Sequence, residues 1–362
     1  MFSITAIRSR VFCFVLGLCL VFGAGVTSAQ ESASPAPGDS TQTSSVADSS
    51  IRLDATIAPI FEEIDLKLDP ERTSYTGTVR IHLKPKQERD HFQLHAEDME
   101  FKKVELEGPT GMIPVSYKMR DDKRVDFKAA AALEPTGEYT LSIDFAQEFD
   151  TTARGLYRLV TDGKAYLFTQ FEAIDARQAF PCYDEPSFKI PWQMTISVPE
   201  GQKVFANTPI EHESTKDGWR TVNFAVTKPM PSYLLALAAG PLETTDIPGL
   251  GVPGRVITVA GKSGLVGEAV RMAPPLLKAL EKYFDEPYPY AKLDLVAVPE
   301  FWAGAMENVG FITFRETVLL LDPKEDTIAQ KRGMASTMTH EMAHMWFGDK
   351  VTMDWWDDLW LN

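Results

Sequence analysis

The segment Thr339-His340-Glu341-Met342-Ala343-His344 sets two histidines four positions apart, with a glutamate directly after the first. Residues four apart on an α-helix share a face one turn apart, so His340 and His344 present two imidazole nitrogens to one point. Zinc takes neutral imidazole and, at a hydrolytic site, uses three protein ligands and leaves a fourth position to water. Glu341 sits about 100° further round such a helix, able to reach that water without ligating the metal, and is the candidate general base. The competing reading is two histidines that bracket a glutamate by chance. With six histidines in 362 residues, that coincidence is expected on the order of 0.01 times.

The positioning element is a helix. Asp326 is its expected N-cap, and Ile328, Met334, Met338, Met342 and Met345 recur mostly at three- and four-residue spacings. Gly348 stands where a helix stop belongs. Further upstream, Val266 to Phe284 has helical texture with Leu276, Leu277, Leu280 and Phe284 on one side, and Pro274-Pro275 imposes a break or kink. Leu293 to Val298 reads as a strand, so residues 246–362 form a mixed α and β domain that contains the histidine helix. The Gly- and Pro-rich stretch from Thr244 to Arg255 is a plausible boundary.

Residues 51–245 have a different period. Ile64, Leu66 and Leu68; Val79, Ile81 and Leu83; Leu141, Ile143 and Phe145; and Trp192, Met194, Ile196 and Val198 alternate with polar residues between turn-forming clusters. Period two of this kind predicts many antiparallel strands, hence an all-β domain, sandwich or saddle. His82, His91, His95 and His212 lack metal-ligand spacing there and read as structural.

The first 29 residues carry Arg8 and Arg10, no acid, an apolar run of 16 positions from Val11 to Val26, then Thr27-Ser28-Ala29. This layout predicts a signal peptide and an exported, periplasmic or extracellular protein. The run is shorter than the roughly 18–20 residues of a membrane span, so no stable membrane insertion is expected after cleavage. Residues 30–50 are Ser, Thr, Ala, Pro and Asp with hardly a large apolar side chain, which predicts a disordered linker. Cleavage after Ala29 leaves Cys182 as the one cysteine, so no internal disulfide forms in the chain as given. The balance of 36 basic against 51 acidic residues becomes 34 against 51, a net charge of −17. Such a protein is not expected to bind nucleic acid, whose phosphates need a basic face.

Two further stretches could do chemistry. Phe301-Trp302-Ala303-Gly304-Ala305-Met306-Glu307-Asn308-Val309-Gly310 has small residues that let another backbone approach as an added strand, with Glu307 beside it to hold a cation. Taken alone, a Gly-rich turn with a solvated glutamate is the stronger reading. Thr169-Gln170-Phe171-Glu172-Ala173 and the Asp175 to Pro186 segment likewise say little by composition; on a strand, Gln170 and Glu172 would share a face.

Together and in this order, these stretches resemble the aminopeptidase N family of zinc metallopeptidases, the gluzincins with Gly-Ala-Met-Glu-Asn upstream of His-Glu-X-X-His. The resemblance runs from about Ile51 to the last residue, through Gly155-Leu156-Tyr157-Arg158, Phe180 to Pro186, Trp346-Phe347-Gly348-Asp349 and Asp354-Trp355-Trp356. It implies one Zn2+ held by His340 and His344, with Glu341 as general base. Glu307, assisted by Gln170 and Glu172, would bind the α-ammonium of peptides with a free N-terminus. Gly304, Ala305, Met306 and Asn308 complete the implied substrate-binding set, with Gly304 and Ala305 along the substrate backbone. The implied fold is multidomain, an N-terminal all-β domain followed by an incomplete thermolysin-like α+β catalytic domain. A third ligand, a glutamate, is expected at position 363, one past Asn362, so the chain reads as an N-terminal fragment. Cys182 lies in a segment the family treats as structural. The reading that competes with a zinc aminopeptidase is a non-catalytic exported peptide-binding remnant. An endopeptidase is disfavoured because Glu307 and Glu172 would block extension past the substrate's N-terminus.

Overall fold

A computed structural model describes residues 51–361; the expected signal peptide (1–29) and linker (30–50) lie outside the described residues. The alternating runs build an eight-stranded sheet. In spatial order its strands are Ile210–Lys216, Trp219–Phe224, Trp192–Pro199, Ile57–Lys67, Ser74–Pro85, Tyr139–Glu148, Glu100–Gly108 and Gly111–Ile113. All neighbours are antiparallel except Ile57–Lys67 with Trp192–Pro199. Register lines up inward positions across the strands: Met194, Ile64, Val79, Ile143 and Val104 form one row. Gly77 lies in the next row between Leu66 and Phe145. A Cβ there would meet the Phe145 ring at 2.6 Å and Leu66 at 2.8 Å, so the missing side chain is what lets the ring lie across the sheet.

Two smaller sheets pack against the same core. One has three strands, in order Arg89–His95, Arg124–Leu133 and Val115–Met119. The other has four: Lys203–Ala206, Leu237–Gly240, Lys164–Gln170 and Gly155–Thr161. Their core continues into the second part of the chain through Val296, Val298, Phe301, Met306, Val309 and Phe311.

That second part is a five-stranded sheet, Glu243–Asp246, Gly254–Thr258, Leu293–Val298, Phe311–Arg315 and Ala305–Met306, whose three central strands are parallel. All six residues of Leu293–Val298 are buried, as a parallel strand covered on both faces requires. Helix α1 (Gly267–Phe284) connects the parallel strands Gly254–Thr258 and Leu293–Val298, and the short α2 (Glu316–Leu319) and α3 (Ile328–His344) follow Phe311–Arg315. A second core packs Ala269, Ala273 and Leu277 of α1 with Met334, Met338 and Met342 of α3. None of the described helices is long and apolar enough to cross a membrane.

Three local expectations are corrected. Helix α1 is assigned without interruption through Pro274 and Pro275. The prolines withdraw the donors to Val270 and Arg271, while buried Ala269, Ala273, Leu277 and Leu280 hold both halves on one surface. The N-cap of α3 is Thr327, not Asp326: its hydroxyl accepts from Gln330 N and the Gln330 side chain accepts from Thr327 N, a complete capping box. Asp326 instead pairs with Lys331. The helix stops at His344, four residues before Gly348, because Met345 and Trp346 turn back to the Met342 and Ala343 carbonyls; Gly348, at φ +131°, serves the turn that follows.

One inward position breaks the apolar pattern. Glu62, in the row beside Ile64 and Leu66, is fully buried and neither carboxyl oxygen has a hydrogen-bond partner among the described residues. Burial first, then the nearby Asp184 carboxylate, raises its pKa well above the usual glutamate value. Below the unfolded value of about 4.3 the proton is bound in both states; above it the unfolded chain releases the proton and the folded chain keeps it, so stability falls with rising pH. Glu62→Gln removes that cost at constant shape. Its melting temperature is expected to match the parent at about pH 4.5 and to exceed it by roughly 2–6 °C at about pH 8. Equal differences at the two pH values would show that Glu62 titrates normally.

Candidate active site

The last two turns of α3 bring His340 and His344 together, Nε2 to Nε2 at 3.1 Å with rings at 88° and centroids 4.6 Å apart. His344 Nδ1 lies 3.1 Å from the Phe347 carbonyl, a placement that favours a proton on Nδ1 and a lone pair on Nε2. Burial foremost, then His344, lowers the pKa of His340, which favours the neutral ligating form. Two nitrogens 3.1 Å apart can be bridged by zinc–nitrogen bonds of about 2.0–2.1 Å, so the pair fits that metal.

Carboxylates crowd the same spot. Glu341 is buried on α3, and burial, then Glu307 and Glu172, push its pKa up to about 9. Glu307 is buried on the segment after Ala305–Met306; ligand atoms of Glu307, Glu341 and His344 all lie within 4.8 Å of one another. Glu172 is raised to about 7 by burial and by Glu307. Asp349, fully buried with both oxygens unpartnered among the described residues, is pushed up by burial and by Glu307 and Glu341. Like charges in a poorly hydrated place hold protons unless a cation neutralises them. The arrangement therefore suits a divalent metal at the imidazoles and an ammonium beside Glu307 and Glu172.

The neighbouring backbone is held open for a ligand. Ala305–Met306 is the outermost strand of its sheet, pairing only with Phe311–Arg315. Arg315 fixes the approach: its guanidinium donates to the Phe301, Trp302 and Ala303 carbonyls, and its N–H to Gly304 O at 3.0 Å. Gly304 is exposed, and a Cβ there would meet nothing within 4 Å. The Trp302 indole donates to Ala153 O at 3.0 Å, tying this loop to the β part.

The structure sorts the other expected residues. Gln170, the last residue of its strand, is buried and donates to Met306 Sδ at 3.7 Å. Glu172 lies beyond the strand's end rather than on its face. Asn308 is fully buried, its amide turned to Leu235 O at 3.4 Å and its carbonyl accepting from Thr313 Oγ1 at 3.1 Å, so its side chain holds the scaffold. Cys182 is fully buried, and burial pushes its thiol pKa up, which removes thiolate character. His95 is also buried, forming a bridge with Cys182. Asp349 received no role from sequence; nothing in the spacing of Trp346-Phe347-Gly348-Asp349 marks it as turned toward the carboxylates.

Comparison with known proteins agrees with this geometry. Residues 58–234 match the Peptidase M1 N-terminal domain and residues 268–362 the Peptidase family M1 domain. The chain is 34% identical over 316 residues to Aminopeptidase M1-C of Oryza sativa, covering 86% of this chain and 36% of that protein. It is 34% identical over 324 residues to the Glutamyl aminopeptidase of Bos taurus (86% and 34%), and 36% over 306 to Probable aminopeptidase 1 of Saccharolobus solfataricus (84% and 37%). It thus spans about a third of the length of these relatives. With both domain models matched in order, the histidine pair, Glu307, Glu341 and Asp349 inside the second and Glu172 inside the first, the chain belongs to peptidase family M1.

Proposed function

We propose that this chain supplies the substrate-binding face and part of the metal centre of a zinc-dependent aminopeptidase. The observation that carries the reading is the burial of Glu307 and Glu341 beside two imidazoles 3.1 Å apart, with the half-buried Glu172 acting on both carboxylates. His340 and His344 would hold zinc, which when bound polarises a carbonyl and lowers the pKa of water. Glu341 takes the proton from the attacking water and passes it to the leaving amine. Glu307 and Glu172 hold the substrate's α-ammonium, a group mostly charged at neutral pH given a pKa near about 7.7–8.0. Gly304 and Ala305 lie along the substrate backbone, as an added strand on the free edge would require. A fixed ammonium counts off one residue, which makes an exopeptidase. The names of the relatives, aminopeptidases all, support this reading.

The full-length protein is expected to hydrolyse aminoacyl anilides that have a free amine and to leave their N-acetyl forms intact. Glu307→Ala is expected to lower kcat/KM by about 2–4 kcal/mol, as for loss of a buried charge partner. Glu341→Gln should reduce kcat while binding persists. Equal rates on free and acetylated substrates would overturn the amine assignment, and activity that survives Glu341→Gln would remove it as base.

The charge and hydropathy layout of residues 1–29 supports export. Protein recovered from periplasm or medium is expected to begin at Gln30 by N-terminal sequencing. A chain that still begins at Met1 in the membrane fraction would overturn this.

A further inference from the structure

We infer that Asn207, a residue of the β part, is a positioning residue that sets Glu307 against Glu172. The inference rests on the reading of these two carboxylates as the amine ligands. Asn207 follows the strand Lys203–Ala206 and is buried. Its amide donates to Leu234 O and Val309 O, both at 2.9 Å, and its side-chain oxygen accepts from Ala236 N at 2.8 Å. One side chain therefore ties the segment before Leu237–Gly240 to the backbone two residues beyond Glu307. The Leu237–Gly240 strand pairs with Lys164–Gln170, which leads directly to Glu172. From Asn207 one path thus runs through Val309 to the Glu307 segment, and the other through Ala236 and the paired strands to the segment that carries Glu172.

The contact is close on the loop side as well. Gly310 has φ +65°, and a Cβ there would stand 2.7 Å from Asn207 O. The far side of the loop is held within its own sheet, where the buried Lys292 ammonium donates to Gly310 O at 2.7 Å and pairs with Asp294 at 2.9 Å. Lys292 fixes the Gly310 end of this loop relative to the five-stranded sheet. Asn207, with the weaker 3.4 Å bond from Asn308 to Leu235 O, fixes it relative to the β part. Losing Asn207 leaves the zinc ligands in place and frees the distance between the two amine-binding carboxylates.

The test uses the full chain with Asn207→Ala and with Gly310→Ala, which pushes the loop off an intact Asn207. Thr227→Val is the control, since it removes a buried hydroxyl that accepts from Trp192 N and lies in neither segment. Hydrogen exchange is followed over residues 304–311 and over α3. Affinities for leucinamide and N-acetylleucinamide are measured with Zn2+ present. Both loop variants are expected to exchange about tenfold faster over 304–311 with α3 unchanged, and to lose about tenfold in preference for the free amine. Thr227→Val is expected to leave both readouts as in the parent. Unchanged exchange over 304–311 in Asn207→Ala, or an equal rise throughout the molecule, would overturn the inference. If the parent protein does not distinguish the two amides, the amine reading falls, and loop exchange still decides whether Asn207 positions the segment.

Discussion

Four carboxyl groups, Glu172, Glu307, Glu341 and Asp349, act on one another in a poorly hydrated place, and the rest of the structure must hold them there against mutual repulsion. Each is fixed by a different device. Glu341 rides on α3, whose buried methionines lock its rotation about the helix axis. Asp349 is held by its N–H to His344 O and by the turn closed between Gly348 and Val351. Glu307 follows an edge strand, and Glu172 precedes the turn that Arg154 and Asp175 brace with an ion pair. Because the anchors are separate elements packed into continuous cores, the acids cannot relax apart, and protons or cations must neutralise them.

The β part was legible because its inward residues obey one period with one chemistry. Ile64, Val79, Ile143 and Met194 face the core in register, as their alternation requires. Glu62 escaped that reading. A polar residue in an alternating run is ordinarily assigned to the solvent face, and only the register shows it pointing inward. Similar limits explain α1 and α3. A proline pair within a helix is overridden when four small or apolar residues bury one face, and the choice between Asp326 and Thr327 turned on which side chain met Gln330.

The candidate site was legible in proportion to how local its geometry is. His340, Glu341 and His344 share two turns of one helix, so spacing alone specifies their juxtaposition. Gln170, Glu172 and Glu307 come from separate segments whose compositions resemble ordinary turns and strands, and only the family resemblance grouped them. Asn207 and Asp349 carried no signal at all, since a side chain that acts through tertiary contacts leaves no periodicity behind.

This distribution bears on how the site forms. The Glu307 segment packs on Asn207 and Leu235 from the β part as well as on Lys292 and Thr313 of its own sheet. Gln170 reaches across to Met306, and Val309 and Met306 belong to the core of the β part rather than to that of α1 and α3. The helix bearing the two histidines packs instead into the core it shares with α1. The Glu307 side draws on the β part, with hydrogen bonds that join residues about 70 to 140 positions apart, as with Asn308–Leu235 and Gln170–Met306. The two sides of the candidate site thus rest on different cores, α3 on the one it shares with α1 and the 304–311 segment on the one it shares with the β part.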